Sequence, residues 1–316
     1  MTEKEVSPFI QEVLFTNHAE SMNEVLNEDY DIHLNYNSLI MGYKISKRFK
    51  TVFDLADDIP AMIRHSPQIP SFLRPFGSLM GKYYLKKNVN VSDFVTITTP
   101  QLIENIKIPE DKIRVIPNGV DSKTFRFHKN AKEKLGLNGI FLGYVGVLRE
   151  WVDFKPIFEA MTSISTEIKF LIVGSEGNLI KTKELVKNYN LNDRVIFTGM
   201  IPYSQVPLYI SAMDICLIPF GNNAIAKNAL PLKLFEYMAC ERPVISSDID
   251  TIKSIMGSNV LYASNSADYK KNIELLIQNP EFMLKLGLNG RNIIEKHYNW
   301  KVIVGKLEKL MKELKG

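Results

Sequence analysis

The chain has 316 residues, of which 45% are hydrophobic and 23% are charged, and its formal net charge is +4. This is ordinary globular composition with room for two domains, and the charge is too small to predict nucleic-acid binding. Its two cysteines, Cys216 and Cys240, form no disulfide framework and no cysteine-histidine cluster with zinc spacing, and the sequence has neither a signal-peptide core nor a membrane-spanning run.

The first half predicts a helix over 7–27 and then four strand-like runs. These runs are "DIHLNYNSLIM", "TVFDLADD", "DFVTITT" and "IRVIPNG". An Asn-Gly turn signal in "IPNGVDSKTF" marks the boundary with the second half. Four strands are few for a full-sized first domain.

Between the second and third of these runs, residues 61–90 contain five cations and no acidic side chain. Apolar side chains alternate with the cations, among them Phe72, Phe76 and Tyr83. Basic residues among exposed apolar ones suit an anionic membrane surface. A solvated helix that packs its apolar side on its own domain is the equally weighted alternative.

The second half alternates apolar, β-branched strands with helices. In chain order they are "GIFLGYVGV", "DFKPIFEAMTSI", "IKFLIVG", "LIKTKELVKNYN", "RVIFTG", "YSQVPLYISAM", "ICLIPF", a helix after Pro231, "PVISS", and a final amphipathic helix from Tyr298. This alternation predicts a parallel sheet covered on both faces, with ligands outside the carboxyl ends of its strands.

The stretch "NALPLKLFEYMACERPVIS" predicts a helix with a lysine and a glutamate in its opening turns. Pro231 suits the first helical position. The expected core-facing side chains are Leu232, Leu234, Phe235, Met238 and Ala239, and the opposite side carries Lys233, Glu236, Tyr237 and Cys240. Lys233 and Glu236 either form an exposed ion pair, worth roughly 0.2–0.5 kcal/mol, or belong to an anion site at the helix N-terminus.

Several phrases, taken in order, resemble the GT-B-fold retaining glycosyltransferases of family 4. They are "IRVIPNGVDSKTF", "FLGYVGVLREW", "KFLIVGSEG", "RVIFTGMIPYSQVPLYISAMDICLIPF" and "NALPLKLFEYMACERPVIS". The resemblance implies an α/β protein with two Rossmann-like parallel-sheet domains that face a cleft, the first of them reduced. It divides the chain into an acceptor-side domain over 1–120, a nucleotide-sugar-binding domain over 121–298, and a helix over 299–316 that crosses back to the first domain.

The resemblance also implies a donor site. Glu236 matches the family's ribose-binding glutamate, Asn228 stands where a sugar-contacting glutamate is usual, and Lys233 becomes the stabiliser of the leaving diphosphate. The backbone at Leu230 and Leu232 would approach the diphosphate. The remaining donor-site residues implied are Gly146 and Arg149 near the phosphates and Gly199 and Met200 near the base.

Catalysis in the first domain is expected from a turn that matches a polar position near the reacting sugar. The turn contains Asp54, Asp57 and Asp58. A helix cap or a turn role for these aspartates weighs about as much as a site role.

Three positions depart from the family pattern. Asn228 carries no charge. The two cations usual after Gly146 are missing, which leaves Arg149 either turned inward or at the surface. Glu241 replaces a glycine just past the helix, at a position that favours positive φ.

The leading hypothesis is a retaining hexosyltransferase that acts in the cytoplasm or at the inner membrane face and builds a glycolipid or polysaccharide. Its co-substrate would be a nucleotide-diphosphate sugar, with no cofactor and no catalytic metal, and "DID" over 248–250 is interpreted as a loop. Two alternatives stay open. One is a nucleotide-sugar-binding subunit that needs a partner chain to complete its first domain, and the other is a nucleotide-sugar epimerase.

Overall fold

A computed structural model describes residues 30–66, 68–103, 108–221 and 230–316. The predicted helix over 7–27 and the donor-site candidate Asn228 lie outside the described residues. The chain divides into two compact units, the first formed by residues 1–118 and 301–316 and the second by residues 119–300.

The first unit is built on a four-stranded parallel sheet with the strands in chain order. Its strands are β1 (His33–Tyr36), β2 (Thr51–Leu55), β3 (Phe94–Ile97) and β4 (Ile113–Val115). Helices α1 (Met41–Ser46), α2 (Ile59–His65) and α3 (Arg74–Val91) connect them. All four predicted strands are therefore present.

The two faces of this sheet differ. Phe53 and Val95 on one face pack with Leu85 and Val89 of α3 into a small core. Because side chains alternate along a strand, the neighbouring row on the other face holds Tyr36, Asp54, Thr96 and Arg114 in register. The four-stranded sheet thus carries polar side chains in line across one face.

The second unit is built on a six-stranded parallel sheet in the order β10-β9-β8-β5-β6-β7. Its strands are β5 (Ile140–Val145), β6 (Ile168–Val173), β7 (Val195–Gly199), β8 (Ile215–Ile218), β9 (Val244–Ser247) and β10 (Leu261–Ala263). Its helices are α4 (Ala131–Lys134), α5 (Lys155–Ser163), α6 (Leu179–Asn188), α7 (Val206–Ala212), α8 (Leu232–Ala239), α9 (Asp250–Met256), α10 (Ser266–Gln278) and α11 (Pro280–Ile293).

Buried cores lie on both faces of the six-stranded sheet. Phe141 and Ile218 belong to one buried cluster, and Leu142 and Leu217 belong to the other. Strands covered on both faces have continuous apolar sequences, which is what made them recognisable. The predicted parallel sheet is confirmed.

The environment of α8 was predicted only in part. Pro231 is the cap, and the helix begins at Leu232, whose side chain is 49% exposed rather than core-facing. Tyr237 and Cys240, expected on the polar side, are fully buried. The reason is that α8 is covered on several sides. Tyr237 lies against β5, where its hydroxyl accepts from the Val145 N–H, Cys240 Sγ lies near the Pro207 carbonyl of α7, and Gly290 of α11 lies against the side chain of Met238.

The end of α8 explains the departure at Glu241. This residue has φ +58°, the left-handed conformation that ends many helices and that glycine adopts most easily. The adjacent N–H groups still satisfy helix carbonyls, because Glu241 donates to Met238 and Arg242 donates to Tyr237. The chain therefore keeps the usual backbone turn with a side chain that is less suited to it.

The interpretation of "DID" as a loop was wrong for Asp250, which is the first residue of α9. A carboxylate is favoured there by the helix dipole. Asp248, which precedes α9, forms an ion pair with Lys253 of α9 and accepts a hydrogen bond from the Ser264 hydroxyl.

The last helix, α12 (Trp300–Lys315), belongs almost entirely to the first unit. Lys315 pairs with Asp31, and Glu313 pairs with Arg114. Within the part of the chain that the structure describes, no helix is long and apolar enough to cross a bilayer.

Candidate donor site

The carboxyl ends of four neighbouring strands in the second unit meet at one edge of the sheet. Gly146 follows β5, Gly174 follows β6, Gly199 ends β7, and α8 follows β8. The backbones interlock here, because Gly146 donates to the carbonyl of Val173 and Gly174 donates to that of Gly199. This is the edge at which parallel α/β sheets bind ligands.

Lys233, on the first turn of α8, reaches back over this edge. Its Nζ donates to the Tyr144 hydroxyl at 2.6 Å and lies 3.9 Å from the centroid of the Tyr144 ring. The Tyr144 hydroxyl in turn donates to the carbonyl of Val147, at 2.9 Å. Lys233 is therefore held by β5 and does not form the surface ion pair that its spacing to Glu236 allows.

Gly146 makes room for this lysine. A Cβ atom at position 146 would lie 2.8 Å from Lys233 Nζ, and the glycine has φ +131°. The backbone conformation therefore favours glycine, and a Cβ atom there would displace the end of the Lys233 side chain. The strand end and the ammonium group together form a positively charged, backbone-lined surface.

The surroundings of Lys233 shift its pKa, and therefore the fraction of molecules in which it is protonated at neutral pH. Burial lowers the pKa of Lys233 to about 7, although the charge of the nearby Glu236 carboxylate raises it in part. Burial likewise raises the pKa of Glu236, opposed by the hydrogen bond from Tyr203 and the charge of Lys233. An anionic ligand would restore the full charge of the lysine, because an opposite charge favours the protonated form.

Glu236 is oriented by a side chain that sequence reasoning missed. The Tyr203 hydroxyl donates to Glu236 Oε1 at 3.0 Å, and the Tyr203 ring lies edge-on to Phe125 at a centroid distance of 5.5 Å. One carboxylate oxygen is thus engaged, while the other remains able to accept hydrogen bonds. Two hydroxyls of a vicinal diol are suitable donors to such a carboxylate.

The other donor-site candidates have different surroundings. Gly199 has φ +73°, nothing lies within 4 Å of a Cβ built there, and Met200 beside it is exposed, so this end of β7 is open to a ligand. Leu230 is buried in the core and Leu232 is exposed, so that of these two only Leu232 presents its side chain at the surface. Arg149 is exposed and lies close enough to Tyr144 to act electrostatically on its hydroxyl.

The three aspartates of the first unit have different surroundings. Asp58 caps α2, accepting from the Ala61 N–H at 3.0 Å. Asp54 accepts from the Thr96 hydroxyl at 2.6 Å; burial raises its pKa, the Thr96 hydrogen bond opposes this, and the charge of Asp57 adds to it. Asp57 is exposed just beyond the carboxyl end of β2.

The sequence contains a signal for the tyrosines that hold the site. Tyr144 and Tyr237 each lie within a mostly apolar segment, and a buried tyrosine hydroxyl usually needs a hydrogen-bond partner. In the structure the Tyr237 hydroxyl accepts from the Val145 N–H at 2.8 Å. No pattern in the sequence pairs Tyr203 with Glu236, since 33 residues separate them.

The family described as Glycosyl transferases group 1 matches residues 125–293. The chain belongs to this family. The match covers more than half of the chain and includes all of α8 and the strand ends of the donor site.

Similar curated proteins are longer than the matched stretches. The glycosyltransferase TuaH of Bacillus subtilis is 31% identical over 144 residues, which are 44% of this chain and 35% of that protein. The alpha-galactosylglucosyldiacylglycerol synthase of Streptococcus pneumoniae is 24% identical over 258 residues, 76% of this chain and 65% of that protein. The chain thus spans between one third and two thirds of these relatives.

A solved structure, HepE from Anabaena in complex with UDP-glucose, matches with a TM-score of 0.74. It is 17% identical and covers 93% of this chain and 81% of its own. At this identity the match shows the fold, which is that of the GT-B glycosyltransferases, with two parallel-sheet α/β domains.

Proposed function

We propose that the protein is a retaining hexosyltransferase of the family 4 type, which moves a sugar from a nucleotide-diphosphate donor to a glycolipid or polysaccharide acceptor. The observation that carries the proposal is the placement of Lys233 over Gly146, with Glu236 one turn away. Family membership and the UDP-glucose bound by HepE support it, as does the diacylglycerol glycolipid named as the product of one relative.

The proposed donor pose follows from the charges. The diphosphate lies against the N-terminus of α8 and the Lys233 ammonium, where free N–H groups and the helix dipole favour an anion. The ribose hydroxyls donate to the Glu236 oxygen that Tyr203 leaves available. The base lies at the open end of β7, near Gly199 and Met200, and Arg149 contributes a charge at the rim.

In the proposed reaction, the acceptor hydroxyl attacks the anomeric carbon on the face from which the diphosphate leaves. The bond from the anomeric carbon to the phosphate oxygen breaks, the bond to the acceptor oxygen forms, and the departing phosphate takes the acceptor proton. Stabilising negative charge on the leaving group is then the main task of the protein. Lys233 and the α8 N-terminus perform it without a metal or a further cofactor.

Among the three aspartates of the first unit, Asp57 is our candidate for contact with the reacting groups. Asp58 is engaged as a helix cap and Asp54 is engaged by Thr96, whereas no hydrogen bond is described for the Asp57 carboxylate. It also lies beyond the end of β2, where ligands of parallel sheets bind.

The test combines binding and turnover. Calorimetry with UDP, ADP and GDP, followed by release of nucleoside diphosphate from a panel of nucleotide sugars in the presence of EDTA, should reveal one preferred donor with slow hydrolysis. Glu236→Gln should weaken nucleotide binding by about 10- to 100-fold, the usual range for a hydrogen bond to a charged group. Glu281→Gln, an exposed glutamate on α11, should leave it unchanged.

The remaining outcomes identify the alternatives. Nucleotide binding without turnover of any donor would indicate a binding subunit that needs a partner chain. Interconversion of donor sugars would indicate an epimerase, and equal affinities of the Glu236→Gln and Glu281→Gln variants would remove Glu236 from the donor site.

A further inference from the structure

Helix α3 has large apolar side chains on the side that faces away from the domain core. Its buried positions are the apolar Leu85 and Val89, which pack in that core towards the end of the helix, and Ser78, Gly81 and Asn88, which are small or polar. The side chains on its opposite side are large and apolar, namely Phe76, Leu79, Met80 and Tyr83, which we call the outer face. An ordinary surface helix has polar side chains on the side away from the core, so this second, outward apolar stripe is unusual.

The inner side explains why the helix nevertheless packs well. Asn88 accepts a hydrogen bond from Asn35 at 2.7 Å and donates to the carbonyl of Leu39. The Ser78 hydroxyl donates to the carbonyl of Pro60. Because hydrogen bonds and close contacts hold the inner side, the outer face is not needed to attach the helix to its own domain.

The outer face is strongly exposed. Phe76 and Leu79 are each 65% exposed, and Phe72, just before the helix, is 78% exposed. Positions 76, 79, 80 and 83 are three or four residues apart, so they form one contiguous stripe. Contiguous exposed apolar patches mark interaction sites, unlike scattered single apolar residues.

Cations border the stripe. Lys82 and Lys86 are exposed, and Lys87 lies with its Nζ 5.4 Å from the ring centroid of Tyr83. From Ile59 to Ser92 the sequence contains no acidic residue. None of these three lysines has an ion pair within the described residues.

The lysines beside the outer face favour an anionic partner over a second copy of the chain. If two copies of the chain paired through the stripe about a twofold axis, the same lysines would face each other with no carboxylate from either helix between them, because such an interface is self-complementary. An anionic bilayer matches both features, since its headgroups pair with the lysines and its acyl boundary accepts the apolar side chains.

We propose that the outer face of α3 and its bordering lysines dock the protein on an anionic lipid surface. The aromatic and aliphatic side chains enter the headgroup boundary, while the lysine stems lie along it with their ammonium groups among the headgroups. The inference rests on the first unit alone and does not depend on the proposed transferase activity.

Vesicle sedimentation tests the proposal with the full chain. The probes are phosphatidylcholine vesicles with and without 30% phosphatidylglycerol, at about 0.1 M and about 1 M salt, where the screening length falls from ~10 to ~3 Å. The charge variant is Lys82→Gln with Lys86→Gln, and the apolar variant is Phe76→Ser with Leu79→Ser. Their matched controls in the second unit are Lys187→Gln with Lys271→Gln and Ile180→Ser with Leu284→Ser, at exposed positions.

We expect binding only to the anionic vesicles and weaker binding in high salt. Each lysine removed should reduce affinity about fivefold, so the charge variant should bind about 25-fold more weakly. The apolar variant should lose at least about tenfold, and both control variants should bind like the parent. Melting temperatures within about 2 °C of the parent verify that the exposed substitutions leave the fold intact.

Three results would overturn the proposal. These are absence of vesicle binding by the folded protein, equal binding to neutral and anionic vesicles, and equal losses in the control variants. A parent dimer in analytical ultracentrifugation that Phe76→Ser with Leu79→Ser makes monomeric, without vesicle binding, would instead assign the outer face to a second copy.

Discussion

The carboxyl ends of the two sheets carry opposite chemistry. In the second unit, backbone amides, glycines and the Lys233 ammonium surround the strand ends, with Glu236 set to one side. In the first unit the corresponding end of β2 carries Asp57 and Asp58, with Asp54 in the strand itself. The same architecture thus supplies a site suited to a polyanion in one unit and an acidic turn in the other.

The difference shows that a parallel sheet fixes where a site lies but not what it binds. Both sheets direct their strand ends and following turns to one edge because all their strands run parallel. The side chains in those turns then decide the charge. Experiments that change the charge of one edge at a time therefore test the assignment of the donor to the second unit.

The largest expected effect comes from removing the cation of the second unit. Lys233→Met keeps an apolar stem against Tyr144 but cannot stabilise a leaving diphosphate, so turnover should fall by about 10²- to 10³-fold. Steady-state kinetics with the preferred donor and acceptor measure this. The free energy of unfolding, from urea titration, should stay unchanged or rise, because a partly desolvated charge is removed.

The matched control is Lys271→Met, an exposed lysine on α10. Turnover of the Lys233→Met variant equal to that of this control would remove Lys233 from the reaction.

The second effect concerns the pH dependence of nucleotide binding. Since burial lowers the pKa of Lys233 to about 7, a diphosphate that binds the charged form must bring a proton with it above that pH. Affinity for UDP should be nearly flat below pH 7 and fall about tenfold per pH unit between pH 7 and 9. Calorimetry at pH 8 in buffers of different ionisation enthalpy should show uptake of close to one proton.

The free energy of unfolding should rise with pH between pH 7 and 9, where the affinity for UDP falls. The folded pKa of Lys233 is below its unfolded value of 10.5, so the unfolded chain binds more protons and the free energy of unfolding rises with pH above 7. Lys233→Met should abolish both the proton uptake and this contribution to the slope. Proton uptake that persists in the variant would contradict the assignment.

The smallest effects separate two aspartates of the first unit. Asp57→Asn should lower turnover by about tenfold, which is less than the roughly 10²-fold at the low end for a positioned acid or base, because the amide can still form hydrogen bonds; the melting temperature should not change. Asp58→Ala should cost about 1 kcal/mol of stability through the lost cap of α2, with turnover per folded molecule unchanged. Exchanged phenotypes would show that the carboxylate of Asp58, and not that of Asp57, meets the reacting groups.

The sequence was most informative where each element follows its own local rule. The central strands of the six-stranded sheet were predictable because both of their faces are buried and most of their positions are apolar, as in β8, where all four residues are buried. Gly146 and the left-handed position at Glu241 were indicated by the family resemblance, and both residues have positive φ. The ordered sequence motifs, including the one that contains Lys233, were enough to indicate the family.

What the sequence left open depends on contacts between distant segments. The faces of α8 could not be assigned, because its neighbours are distant in the chain. The α11 helix that lies against Met238 begins at Pro280, and the Pro207 carbonyl near Cys240 Sγ belongs to α7, 33 residues earlier. The outer face of α3 has a helical apolar period like that of any core-facing stripe. Only the burial of the opposite side of α3, from Ser78 and Gly81 to Leu85, Asn88 and Val89, shows that this stripe points outward.

The sequence by itself therefore determined the four strands of the first unit and the alternation of strands and helices from β5 to β9, because these depend on local backbone preference and on burial period. The tertiary structure alone decided that Lys233 lies against Tyr144 and that Glu236 is bound by Tyr203. These partners lie 89 and 33 residues apart in the chain, and short-range patterns carry no information about which side chains meet at such separations.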